Sequence, residues 1–116
     1  MKTLSTCPHV TAIGVNCTKP LFIPSLLEII QSHKNNQQLV ACYPNSGEIW
    51  TPEKKWQRGK DDIVQSPEYF ANVVKSKYVD EGKADIVGGC CRIGVSFIAA
   101  LVQKFREFKG TVHEIT

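Results

Sequence analysis

What most limits the fold of this chain is a threefold alternation of strand-like and helix-like segments within 116 residues. The segments "HVTAIGVNC" at 9–17, "QLVACYPN" at 38–45 and "ADIVGGCC" at 84–91 are short and apolar, and Asp85 is their one acid. Strands of this composition suit a parallel sheet covered on both faces. Each is followed by an apolar stripe at helical spacing: Ile23, Leu26, Leu27 and Ile30; then Phe70, Val73, Val74 and Tyr78; then Ile98, Leu101, Val102 and Phe105. Strands joined by crossover helices run parallel. A complete eight-unit barrel takes about 250 residues. The chain therefore reads as an α/β protein, either three-eighths of a barrel or a small open sheet. Both leave two unpaired sheet edges and a poorly covered face.

The punctuation between the segments is clear. Pro20 and Pro24 place a loop or a first helical turn after the first strand. Lys34-Asn35-Asn36 ends the first helix, and Pro44-Asn45-Ser46-Gly47 breaks the chain after the second strand. Residues 46–65 read as a long loop packed around Trp50 and Trp56. Ser66-Pro67-Glu68 is a helix start: a capping hydroxyl, proline at the first helical position and an acid in the first turn. Gly82 is placed as the C-terminal cap of that helix. Residues 109–116 read as a loose tail, and 1–116 as one portion of a single domain.

Composition excludes several classes of function. The net charge of +3 is spread along the sequence. The one basic cluster, Lys54, Lys55, Arg58 and Lys60, is followed by Asp61 and Asp62 and reads as a solvated loop rather than a nucleic-acid surface. No run approaches the roughly 20 apolar residues of a membrane span, and the first residues show no apolar signal core. With no sign of secretion, five cysteines are expected to be free thiols or metal ligands in the cytoplasm.

Parallel strands bring their C-terminal ends to one rim, where ligands bind in α/β folds. Cys17 ends the first strand, and Cys90 and Cys91 end the third. Three thiolates can share one zinc ion and leave its fourth position open, the pattern of catalytic zinc. Neighbours in a regular strand face opposite ways, so Cys90 and Cys91 can serve one metal only if the chain bends there. Gly88 and Gly89 offer that freedom through positive φ and close backbone approach. Cys7 and Cys42 are expected to be ordinary small side chains, and His9, His33 and His113 ordinary surface or core histidines. A thiol-redox role is disfavoured: no Cys-x-x-Cys occurs, and a disulfide between adjacent cysteines is strained.

"GVNC" at 14–17, "YPNSGEIW" at 43–50, Lys55-Trp56 and "GGCCR" at 88–92 together resemble the C-terminal part of the homocysteine S-methyltransferases, the zinc-dependent group related to betaine–homocysteine methyltransferase. The resemblance runs from about residue 9 to residue 105. It implies the sixth, seventh and eighth units of a (β/α)8 barrel, with zinc held by Cys17, Cys90 and Cys91. It implies an enzyme that moves a methyl group from a sulfonium donor, S-methylmethionine or S-adenosylmethionine, to homocysteine. Tyr43, Asn45 and Glu48 are then expected to line the substrate pocket. Arg92 would pair with a substrate carboxylate or with a nearby acid, and the nearby acid is favoured. Two departures stand out: Ile93-Gly94-Val95-Ser96 replaces the family's Thr-Thr-Pro opening of the last helix, and the first five strands are missing. The chain alone is expected to be inactive, and the alternative is a non-enzymatic zinc-binding or interaction module.

Overall fold

The structure, a computed structural model, describes residues 2–57 and 62–107. Arg58, Lys60, Asp61, His113 and the tail at 109–116 lie outside the described residues.

A short helix, α1 (Lys2–Thr6), leads into β1 (Ala12–Thr18). A 3-10 turn at Pro20–Phe22 opens α2 (Ile23–His33), and β2 follows (Leu39–Pro44). Two short strands, β3 (Ile49–Trp50) and β4 (Trp56–Gln57), precede α3 (Pro67–Val73). The chain then continues in wider i→i+5 turns over Val74–Glu81. Strand β5 (Ile86–Val87) and helix α4 (Val95–Arg106) close the order. Strands β1, β2 and β5 form one parallel sheet in sequence order, while β3 and β4 form a separate antiparallel pair.

The expected helix starts and stops have visible causes. The Ser66 hydroxyl accepts from the Tyr69 N–H at 3.0 Å, with Pro67 in the first turn. Helix α2 ends where Lys34 turns extended. The last helix starts on Gly94 with no side-chain cap, the consequence of the departure at residues 93–96. Gly82 does end the α3 segment but keeps right-handed backbone, and Lys83 takes the left-handed position at φ 60°. Gly82 is needed for space instead: a Cβ there would lie 2.6 Å from Leu27 Cδ1 and 2.8 Å from the Tyr78 carbonyl. Gln31 of α2 reaches across and donates to the carbonyls of Gly82 and Lys83.

The core lies between the sheet and the helices. Ile13, Val40 and Cys42 of the sheet pack with Ile23, Leu27, Ile30, Phe70, Val74, Tyr78 and Leu101. Phe97 adds an edge-to-face contact with Phe70, ring centres 5.8 Å apart. Asp85 fastens β5 to β2, its carboxylate accepting from the Val40 N–H and its own N–H donating to the Val40 carbonyl.

Coverage on both sheet faces is not what the structure has. Ala12, Gly14 and Asn16 are exposed while Ile13 between them is buried, and Leu39 is exposed beside buried Val40. Among the described residues the helices cover one face, and β1 and β5 each have an unpaired edge. The apolar strands are therefore made for a covered sheet, but only one side is covered by this length of chain. No helix of the described residues is long and apolar enough to cross a membrane.

Candidate metal centre

Cys17 is brought to the rim by an irregularity in β1. Asn16 pairs with Tyr43 and Thr18 with Pro44, which leaves Cys17 as the extra residue of a bulge. Its φ is 53°, the left-handed region that side chains other than Gly, Asn and Asp rarely adopt. A bulge of this kind turns a side chain away from the strand's alternation.

Cys90 and Cys91 arrive from the third unit by a different route. Strand pairing stops at Val87, but the chain stays beside β2: the Gly88 N–H donates to the Cys42 carbonyl at 3.1 Å and the Cys90 N–H to the Pro44 carbonyl at 2.9 Å. A tight turn then joins the Cys90 carbonyl to the Ile93 N–H at 3.1 Å. The bend that two adjacent cysteines require is therefore present, but its left-handed residue is Arg92, at φ 69°. Gly88 and Gly89 do not use positive φ. At Gly89 it is space that matters, since a Cβ would lie 2.2 Å from Ile93 Cγ2.

The three sulfurs meet. Cys17 Sγ lies 2.9 Å from Cys90 Sγ and 3.5 Å from Cys91 Sγ, and all three are within 4.8 Å of one another. Ligands at about 2.3 Å in a tetrahedron around zinc stand about 3.8 Å apart, so the three thiols are close enough to share one ion once the 2.9 and 3.5 Å separations open toward that value. No histidine, aspartate or glutamate joins this cluster among the described residues. Cys17 and Cys91 are exposed and Cys90 is partly so, which leaves an open side for a fourth ligand.

The other cysteines are elsewhere. Cys42 is fully buried beneath the sheet, and burial pushes its thiol up to about 12. Cys7 lies in the turn before β1. His33 bonds within its own helix end, its Nδ1 3.0 Å from the Ile29 carbonyl.

The β2–β3 loop lies against the cysteine turn. The Ser46 N–H donates to the Cys91 carbonyl at 3.1 Å, and the Ser46 hydroxyl accepts from the Glu48 N–H. Glu48 Oε1 accepts from Arg92 Nε at 3.2 Å, so Arg92 has a nearby acid as its partner. The Arg92 guanidinium also stands 5.6 Å from the centre of the Trp56 ring. Trp56 packs edge-on against Trp50 at 5.2 Å, and both are exposed. The long loop thus carries a small hairpin with its own aromatic pair, and it joins the core through buried Ile63 rather than through the two tryptophans. Its alternation was too short to read in the sequence. Asn45 Oδ1 is buried with no hydrogen-bond partner among the described residues. Tyr43 is half-buried at the end of β2. Two clefts among the described residues, of about 290 and 380 Å3, lie away from the sulfurs and are lined by residues of the α2 and α3 regions such as Pro24 and Lys77.

The family model described as homocysteine S-methyltransferase matches residues 1–105. Homocysteine S-methyltransferase 3 of Arabidopsis thaliana is 38% identical over 103 residues, covering 88% of this chain and 28% of the relative. Selenocysteine Se-methyltransferase of Brassica oleracea var. italica is 36% identical over 100 residues, covering 82% of this chain and 26% of the relative. An uncharacterised protein of Saccharomyces cerevisiae, YMR321C, is 37% identical over 101 residues, covering 84% of this chain and 90% of the relative. The chain thus spans less than a third of the two named methyltransferases. No solved structure matches.

Proposed function

Because the chain belongs to the homocysteine S-methyltransferase family, we propose that it is the metal-bearing segment of a zinc-dependent methyltransferase. The reaction is transfer of a methyl group from a sulfonium donor, S-methylmethionine or S-adenosylmethionine, to the sulfur of homocysteine. A new carbon–sulfur bond forms, the methyl–sulfonium bond breaks, and the donor leaves as a neutral thioether. The observation that carries this reading is the meeting of three sulfurs from two segments 73 residues apart, within 4.8 Å, with one side open. Cys17, Cys90 and Cys91 would hold the zinc. Zinc held there would supply Lewis acidity that favours the thiolate of an incoming thiol at neutral pH, where a free thiol is only a few per cent ionised, with the proton released to solvent.

The remaining roles fall to the rim. Asn45, just after β2, would line the substrate pocket, and its buried, unpartnered oxygen would have to turn outward to meet a substrate ammonium group. Tyr43 lies beside it, and Glu48 keeps one carboxylate oxygen beyond the one that Arg92 occupies. The sequential strand order β1, β2, β5 supports the last three units of a (β/α)8 barrel, in which each strand pairs with its predecessor. Turnover then belongs to the polypeptide that supplies the rest of the wall, and the chain alone is inactive. A reducing, cytoplasmic setting would keep the five thiols free.

A second reading, a zinc-binding or interaction module without catalysis, is favoured by the bare sheet face and two open edges. Metal analysis of the purified chain, run beside a homocysteine methylation assay, tests both. Wild type is expected to carry about one zinc, and Cys17→Ser and Cys91→Ser to lose it. Zinc that survives both substitutions sinks the site. Zinc without turnover in the completed polypeptide selects the second reading.

A further inference from the structure

We propose that Arg92 is a positioning residue that sets the metal affinity of the cysteine cluster by clamping the Cys90–Cys91 turn to the β2–β3 loop and the tryptophan hairpin. The proposal rests on the assignment of Cys17, Cys90 and Cys91 as metal ligands and goes beyond it to a residue that touches no metal. Arg92 occupies the third position of the Cys90–Ile93 turn at φ 69°, a place that favours glycine. An arginine there carries a backbone cost, which points to a use for its side chain. Among the described residues that side chain contacts Glu48 of the β2–β3 loop and Trp56 of the tryptophan hairpin. Its Nε donates to Glu48 Oε1 at 3.2 Å, and its guanidinium stands over Trp56 at 5.6 Å.

The partners are themselves held. The Glu48 side chain is only 13% exposed, and its N–H is fixed by the hydroxyl of buried Ser46. Ser46 in turn donates its own N–H to the Cys91 carbonyl and accepts from the Ile63 N–H at 2.8 Å. The Cys91–Arg92 step is thus gripped at its backbone by Ser46 and at its side chain by Glu48 and Trp56. Cys91 itself is exposed. Groups that orient metal ligands from outside the ligand set typically change affinity by about 10–100-fold when removed.

Zinc affinity of the full chain, measured by competition with a chromophoric chelator, tests the clamp through two variants. Arg92→Gly removes the side chain and relieves the backbone, so its metal-free thermal midpoint should equal or exceed that of wild type. Its zinc affinity should nevertheless fall about 10-fold or more. Glu48→Ala should weaken zinc comparably. If Arg92 acted only as a cation beside an anionic thiolate site, Glu48→Ala would free its charge and tighten zinc instead, which would overturn the clamp. Cobalt(II) should give a thiolate charge-transfer band in wild type that is shifted or weakened in both variants. Trp56 emission, read in a Trp50→Phe background, should change on metal binding and lose that response in Arg92→Gly. Wild-type zinc binding with unchanged Arg92→Gly affinity refutes the inference alone, whereas absent wild-type binding refutes the metal site itself. Should Arg92→Gly fail to fold, Glu48→Ala and Trp56→Ala carry the same comparison.

Discussion

Cys17 and Arg92 both hold left-handed backbone that glycine would adopt more easily, and both serve the same rim. Nothing in their residue types announces this. The glycines that invite it, Gly88 and Gly89, stay out of the left-handed region, and Gly47 is the one described glycine within it. Backbone handedness here is imposed by the contacts at each end of the turn, so residue type misled. Burial chemistry at single residues is better behaved. Cys42 sits under the sheet with its thiol pushed up to about 12, against about 8.5 in an unfolded chain. Between those values the folded chain binds the proton more tightly than the unfolded one. This share of stability is complete below about pH 8.5 and declines as pH rises, by about 1.4 kcal/mol per unit for one group. Tyr78, also raised by burial and by the Cys42 charge, adds to the decline at higher pH. Denaturant midpoints between pH 8 and 11 should therefore fall, and Cys42→Val should flatten the curve in its lower half. Iodoacetamide should spare Cys42 in the folded chain while modifying Cys17 and Cys91.

At the scale of the element, caps and stripes were legible because their causes are local. Ser66-Pro67-Glu68 starts a helix through groups within one turn of each other. The stripes of α2 and α4 bury Ile23, Leu27, Ile30 and Leu101 as their spacing requires. Less legible were α1 and the widened turns after Val73. Helix α1 has its Leu4 carbonyl held by Gln38, a residue 34 positions away. The widened segment ends on carbonyls bonded by Gln31 of another helix. Two glycines at element ends should respond in opposite directions. Gly82→Ala forces a Cβ against Leu27 and the Tyr78 carbonyl, and should cost about 1–3 kcal/mol. Gly94→Ser meets nothing within 4 Å and adds the missing cap hydroxyl of α4, so it should gain a few tenths of a kcal/mol, roughly the cap difference known for helices. Chemical denaturation of the two variants checks both signs.

Over the whole molecule, metal and fold should be coupled, because the proposed ligands come from the first and third strand units. At free zinc about 100 times the dissociation constant, binding adds about 2.7 kcal/mol. For a domain of this size that raises the thermal midpoint by roughly 10–20 °C. A chelator should reverse the shift, and Cys17→Ser should abolish it; equal midpoints with and without zinc would contradict the coupling. The sequence by itself determined the α/β alternation, the parallel direction of the strands and hence the rim on which Cys17 and Cys90–Cys91 lie. These follow from apolar periodicity and from the reach of a crossover helix, which are properties of short stretches of chain. Only the tertiary structure decided that a bulge aims Cys17 at its partners, that Arg92 turns the chain between cysteine and helix, and that the poorly covered sheet face is the one carrying Ala12, Gly14 and Leu39. Those features depend on contacts between residues tens of positions apart, and no local pattern encodes such a contact.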